Sequence, residues 1–301
     1  MIRRSTIRFI RRLGGKILYL LSFFDHIFAN QKMMIYQPSV GETFNDVNLC
    51  VYVTYNESIL SDNSRKLLCD ARSLGFTTIH INNTSKVRQR RVTLGGLSFD
   101  RKNAGYDLAA VRDALVMIQV QPKSLLIINS SVHYLSNGLI KLVDMAKETS
   151  FDVVGVTESF QKRTHLQSYF FFSQTNEGVE ALSAEYRRMR NWVSKRAAVN
   201  FGELRMMKNI ALRKVTVGAV VSYEEILLNA LKNPKLVDRF VFSDIKKGVK
   251  VNPTQHLWQV LFFMEIPIVK KSLIRDNPAN LEFRPLDYLN AESIYRETNR
   301  N

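Results

Sequence analysis

The run Leu125-Leu126-Ile127-Ile128 constrains this chain more than any other feature. Four branched apolar residues in a row, with no polar residue alternating between them, describe a β-strand buried on both faces. Such a strand lies inside a sheet whose two faces are both covered by helices. The run stops abruptly at Asn129-Ser130-Ser131. In open α/β sheets, ligands sit just beyond the carboxyl ends of the strands, so this polar step marks a place where a site would lie.

The rest of the chain alternates in the same sense. Val47–Thr54 predicts a strand, Asp62–Leu74 a helix ended by Gly75, and Phe76–Ile81 a second strand. A polar stretch, Asn82–Arg101, leads to a turn in which Asn103 and Gly105 suit a bending backbone. Asp107 is placed to cap a helix whose apolar positions are Leu108, Val111, Leu115 and Ile118. Pro122 closes that helix. After the Leu125 strand come a helix at Ser136–Lys147, a strand at Asp152–Val156 and an aromatic strand at Gln167–Phe172. Helices are expected at Glu177–Trp192, Val217–Leu231 and 254–264, while Val199–Lys214 has no clear period. Short buried strands alternating with helices predict an α/β fold with a largely parallel sheet and right-handed crossovers. No repeat or linker interrupts it, so residues 47–280 are expected to form one domain. Residues 281–301 then form a polar tail.

Residues 1–46 differ in character. Arg3, Arg4, Arg8, Arg11, Arg12 and Lys16 precede the apolar run Ile17–Phe24. That run is about half the ~20 residues a bilayer requires. A basic, apolar helix lying on an anionic membrane surface is expected, followed by a polar connector; a helix docked on the protein body is the plainer alternative. The formal net charge of +16 has further peaks at Lys86–Arg91 and Arg187–Lys214. A basic surface attracts anionic lipid, nucleic acid or polyphosphate ligands, or simply keeps a protein soluble. The basic–aromatic interleaving of RNA-binding modules is absent, so nucleic acid is not expected as a partner. Cys50 and Cys69 read as small buried hydrophobes and lack zinc-ligand spacing. No P-loop, dinucleotide fingerprint or nucleophile elbow is present.

Several segments, taken in order, carry a resemblance. They are Asn103-x-Gly105-Tyr106-Asp107, the strand ending Asn129-x-Ser131, and Val153–Ser159. They continue with His165-Leu166-Gln167-Ser168-Tyr169-Phe170, Asn252–Trp258 and Ile266–Lys271. Over residues 48–280 the chain resembles the rhamnan synthesis F family of bacterial polysaccharide-assembly proteins. The resemblance implies a GT-A-like, Rossmann-related glycosyltransferase with a helical C-terminal extension. The donor would be a nucleotide-activated sugar, a deoxyhexose such as rhamnose as the family name suggests. The acceptor would be a growing surface polysaccharide (O-antigen, capsule or rhamnan) on a lipid carrier. The implied location is cytoplasmic, peripheral on the inner face of the plasma membrane, alongside other polysaccharide-assembly proteins. A non-catalytic glycan- or partner-binding member of the same fold is the alternative.

The candidate site residues follow from both readings. Thr54, Asn103, Gly105, Tyr106, Asn129, Ser130 and Ser131 are expected to bind the donor, at polar turns beyond strand ends. Without the resemblance, Asn103–Asp107 would read as a turn with a helix cap. The candidate catalytic residues are Asp107, Glu158 and His165. Glu158 is the candidate base for an acceptor hydroxyl, in what would otherwise be a surface turn. His165 would meet a diphosphate or acceptor hydroxyl, or be satisfied by backbone. His256, Trp258 and Lys270 are expected to touch the acceptor or phosphate, with packing at a helix start as the plain reading of His256. The resembled family implies an acidic residue at Ser130, where a divalent metal would bind the donor diphosphate. Serine is a poor ligand for Mg²⁺ or Mn²⁺. Three routes stay open: a metal held by other carboxylates such as Asp107 or Glu158, a metal-free reaction using Lys or Arg, or lost activity.

Overall fold

The computed structural model describes residues 46–57, 59–85, 96–118, 121–192 and 194–277, together with residues 17, 281 and 285. The expected N-terminal membrane helix and the polar tail fall outside these residues, apart from Ile17 and residues 281 and 285. In chain order the described elements begin β1 (Asn48–Tyr55), α1 (Asp62–Ser73), β2 (Thr77–Thr84), β3 (Leu97–Lys102) and α2 (Tyr106–Ile118). Then follow β4 (Ser124–Asn129), β5 (Val132–Tyr134), α3 (Gly138–Lys147), β6 (Val153–Ser159), β7 (His165–Leu166), β8 (Phe170–Ser173) and α4 (Asn176–Arg187). A short turn at Lys195–Ala197 and a π-helical turn at Ala198–Glu203 lead into α5 (Leu204–Ala211). The chain continues with β9 (Val217–Val221), α6 (Tyr223–Lys232) and α7 (Arg239–Lys246). It closes with α8 (Pro253–His256), α9 (Trp258–Phe263), β10 (Ile268–Lys270) and α10 (Lys271–Arg275).

The main sheet runs in the order β3-β2-β1-β4-β8-β6-β7, with β9 beside β6. The first four strands are mutually parallel, in the 3-2-1-4 order of a doubly wound half. Strand β8 is antiparallel to both β4 and β6, and β9 is parallel to β6. The architecture agrees with the GT-A-like α/β class that the resemblance implies. Helices cover both faces because the strands are apolar on both. Cys50, Tyr52, Leu126 and Ile128 point into one core with α1, α3, α6 and α7; Leu49, Val51, Val53, Leu125 and Ile127 point into the other with α2, α4 and α5. Burying each such side chain contributes roughly 1.5–3 kcal/mol. The C-terminal helices are packed into the first core rather than appended: Trp258, Leu261 and Leu273 all belong to it. Among the described residues no helix is long and apolar enough to cross a membrane.

Several expectations are corrected. The stretch read as polar from Asn82 holds the end of β2 and the strand β3. Its polar side chains satisfy one another across the strands. Thr54 Oγ1 lies 2.9 Å from His80 Nε2 and donates to Asn82 Oδ1 at 3.2 Å, while His80 Nδ1 lies 2.8 Å from Ser98 Oγ. Asn82 also donates to Asp100 at 2.8 Å. Val217–Val221 is a strand, not the start of a helix; short apolar runs are ambiguous by period alone. Ser222 then starts α6 with a capping box to Glu225. The helix expected to reach Trp192 ends at Arg187, and the one at 254–264 is broken into α8 and α9 at Leu257. The aromatic strand is shorter than expected, with Gln167–Tyr169 lying between β7 and β8. Cys69 is exposed rather than buried.

Candidate functional site

An open cleft of about 380 Å³ lies beyond the carboxyl ends of β1 and β3. Tyr55 closes β1, Asn103 follows β3, and Ser168 precedes β8; all three line it. Tyr106, Asp107 and Leu108 enter from the start of α2, and Lys195, Ala198, Val199 and Glu203 from the turns before α5.

The wall at Asn103–Tyr106 depends on an unusual backbone. Gly105 and Tyr106 have φ of 75° and 59°, in the left-handed region. A Cβ at Gly105 would come within 2.6 Å of Ala109 Cβ and 2.7 Å of Arg190 O and Asn191 Cα. Only glycine lets α2 start so close to the 190–191 loop. Arg101, buried at the end of β3, ties the two segments together. It donates to Asp113 Oδ2 at 2.5 Å, Asn83 Oδ1 at 2.9 Å, Ala104 O at 2.5 Å and Asn191 Oδ1 at 3.4 Å. Arg112 adds bonds to Asp113 Oδ1, Met189 O and Asn191 Oδ1, all within 2.9 Å.

Asp107 does not cap α2. The helix begins one residue earlier, and the carboxyl is turned toward Asn83 and the cleft. Burial pushes its pKa up to about 6, and Glu203 adds to the rise; Lys195, Arg101 and the Asn83 amide oppose it. Glu203 projects from the π-helical turn and accepts from Ser168 N–H at 3.1 Å. Such widened turns recur at functional sites because they re-aim one side chain. Lys270 reaches the same group from β10, which pairs antiparallel with β5. Burial lowers its ammonium pKa, Glu203 opposes the change, and Lys195 adds to it. Asp107, Glu203 and Lys195 thus interact in the cleft, and Lys270 lies buried within electrostatic reach of Glu203 and Lys195.

The structure brings Asn103, Gly105, Tyr106, Asp107 and Lys270 of the expected set to the cleft region. Others it does not. Thr54 is buried in the β1–β2 network, and its neighbour Tyr55 lines the cleft instead. Asn129 spends its side chain locally, accepting from Ser131 N–H at 3.0 Å and donating to Ser168 O at 3.1 Å. Ser130 N–H donates to Val53 O, and neither Ser130 nor Ser131 lines the cleft. Glu158 is still within β6, not in a turn beyond it. By strand alternation it shares parity with Val154 and Val156, which belong to the core covered by α1, α3, α6 and α7, and it does not line the cleft. His165 is buried with Nδ1 2.7 Å from Arg163 O. His256 Nδ1 accepts from Asn252 N–H at 3.0 Å, and Trp258 fills the core. Sequence reasoning missed Lys195 and Glu203, because the π-helical turn between them breaks the 3.6-residue period.

The described residues do not make a metal site of their own. Among the described residues no three of His, Cys, Asp and Glu converge, and Ser130 offers only a hydroxyl.

No family model matches the chain. It is 27% identical over 254 residues to an uncharacterized protein, y4gN, of Sinorhizobium fredii; the match covers 77% of this chain. The chain spans 65% of the length of that relative. Among solved structures it is similar to Rv0371C of Mycobacterium tuberculosis in complex with manganese. That match has a TM-score of 0.36 and 14% identity, over 58% of this chain and 88% of that one. It is also similar to the glycosyltransferase GlyE of Streptococcus pneumoniae, with TM-score 0.37 and 13% identity, over 80% of this chain and 57% of that one. A third is a cytidylyltransferase of Leptospira borgpetersenii, with TM-score 0.31 and 10% identity, over 60% of this chain and 76% of that one. Likeness this distant decides neither a substrate nor a reaction.

Proposed function

We propose that this chain is a glycosyltransferase of the rhamnan synthesis F type. It takes a sugar, rhamnose or another deoxyhexose, from a nucleotide-sugar donor and adds it to a lipid-linked surface polysaccharide at the inner face of the plasma membrane. The observation that carries this reading is the cleft beyond β1 and β3, where Asp107 with its raised pKa shares a field with Glu203 and Lys195. The acceptor hydroxyl oxygen bonds to the anomeric carbon as the bond from that carbon to the diphosphate oxygen breaks. The hydroxyl proton passes to the Asp107 carboxylate, which is mostly ionised at neutral pH with a pKa of about 6. The nucleoside diphosphate leaves with the electron pair, and its charge meets Lys195. Tyr55 and Tyr106 offer aromatic surface at the cleft for the donor.

A second reading is a non-catalytic binder of the same fold. It is favoured by the hydroxyl at Ser130 and by Asn129 being engaged within its own turn. Melting the full chain with a panel of nucleotide sugars and nucleoside diphosphates, with and without Mg²⁺ or Mn²⁺, separates these readings. A ligand at 100 times its dissociation constant stabilises by about 2.7 kcal/mol. A shift with one nucleotide family, followed by release of its diphosphate, is expected. Binding without release favours the binder, no shift with any of them defeats the transferase reading, and a shift only with metal recruits the cation to the donor.

A further inference from the structure

Helices α6 and α7 bury Ile226, Ala230, Val241 and Ile245 in the same core, and each turns its opposite face outward. Those faces carry apolar side chains that water should disfavour. Phe240 is 65% exposed, Leu228 51%, Leu231 46%, and Val249, just after α7, 47%. Interspersed with them are exposed Lys232, Lys235, Lys246, Lys247 and Lys250, and Arg239, whose guanidinium lies 4.8 Å from the Phe240 ring centroid. Over residues 223–250 these six cations outnumber four carboxylates: Glu224 and Glu225, exposed on the first turn of α6, Asp238, buried as the cap of α7, and exposed Asp244.

We propose that the outer face of α6 and α7 is a docking surface for an anionic lipid bilayer. Apolar and aromatic side chains standing among lysines match the acyl boundary and the charged headgroups together. A protein partner fits less well, because lysine is depleted at protein interfaces. Nucleic acid would meet the lysines and leave Leu228, Leu231 and Phe240 without a counterpart. This surface lies on residues separate from the cleft and does not depend on the chemistry proposed there.

The test places a reporter on the surface of the full chain. Phe240→Trp adds one exposed indole to a protein whose Trp192 and Trp258 are both buried. The reporter is mixed with vesicles of phosphatidylcholine and phosphatidylglycerol carrying brominated acyl chains, with vesicles of phosphatidylcholine alone, and with a single-stranded RNA. The expected result is a blue shift and bromine quenching of the added emission on the anionic vesicles only, weakened by salt. Leu231→Ser combined with Phe240→Ser should weaken vesicle binding about tenfold or more, because the two apolar contacts are lost. The proposal is overturned if the protein sediments with the vesicles while the indole stays unquenched, since another segment then holds the membrane. It is equally overturned if the protein ignores the vesicles, or if only RNA changes the emission.

Discussion

The two polar turns flanking α2 and β4 look alike in sequence and serve differently in space. The turn at Asn103–Tyr106 holds two consecutive left-handed residues against the 190–191 loop, braced from below by buried Arg101. Its side chains Asn103, Tyr106 and Asp107 open onto the cleft. The turn at Asn129–Ser131 has turned its polarity inward. Asn129 bonds Ser131 and Ser168, Ser130 bonds Val53, and Lys271 N–H donates to Ser131 O. A polar residue beyond a strand end therefore marks a site only when its hydrogen-bonding capacity is left for a ligand. The second turn acts at one remove: Asn129 holds Ser168, and Ser168 holds Glu203 at the cleft.

The contrast can be broken most sharply at Gly105. Gly105→Ala combines a strained φ with contacts near 2.6 Å and should cost about 3–5 kcal/mol, read by chemical denaturation of the folded chain. Next is Asp107→Asn, which should lower sugar transfer about a hundredfold or more while leaving donor-induced stabilisation in place. Its stability should change in the opposite sense. A carboxyl whose folded pKa is raised from 3.8 to about 6 favours folding fully below pH 4 and loses that contribution as pH rises toward 6. The variant should therefore be more stable than the parent at pH 7, and its melting temperature should vary less between pH 4 and pH 6. For the parent, turnover should fall as pH drops below about 6, where the base is protonated. Asn129→Ala removes the two bonds of the inward turn and should cost about 1–3 kcal/mol of stability. Its effect on transfer should be smaller than that of Asp107→Asn. The least effect is expected from Ser130→Ala, within about 0.5 kcal/mol and with donor binding unchanged. A large loss of donor binding in that variant would erase the distinction between the turns.

Much of the frame was legible in the sequence because burial leaves a one-dimensional trace. Leu125–Ile128, short and bounded by polar residues, reads as a doubly covered strand, and Leu108, Val111 and Leu115 as one helical face; both readings hold. The strand β3 was not legible, since Ser98, Asp100 and Arg101 look solvated until His80, Asn82, Asn83 and Asp113 are seen opposite them. Val217–Val221 was misread because a short apolar run fits a buried helix as well as a strand.

The site divides along the same line. Gly105 and Asp107 were singled out as site residues by the family resemblance, since their local pattern alone reads as a bent turn with a helix cap. Lys195 and Glu203 lie some ninety residues beyond Asp107, and only folding brings their charges to it and Lys270 to Glu203. By itself the sequence determined which apolar runs are buried, and hence the layered α/β class, because that depends on each residue's own solubility and its near neighbours. Which polar groups stay open to a ligand was decided by the tertiary structure alone, because each group's availability depends on partners that the chain supplies from a distance.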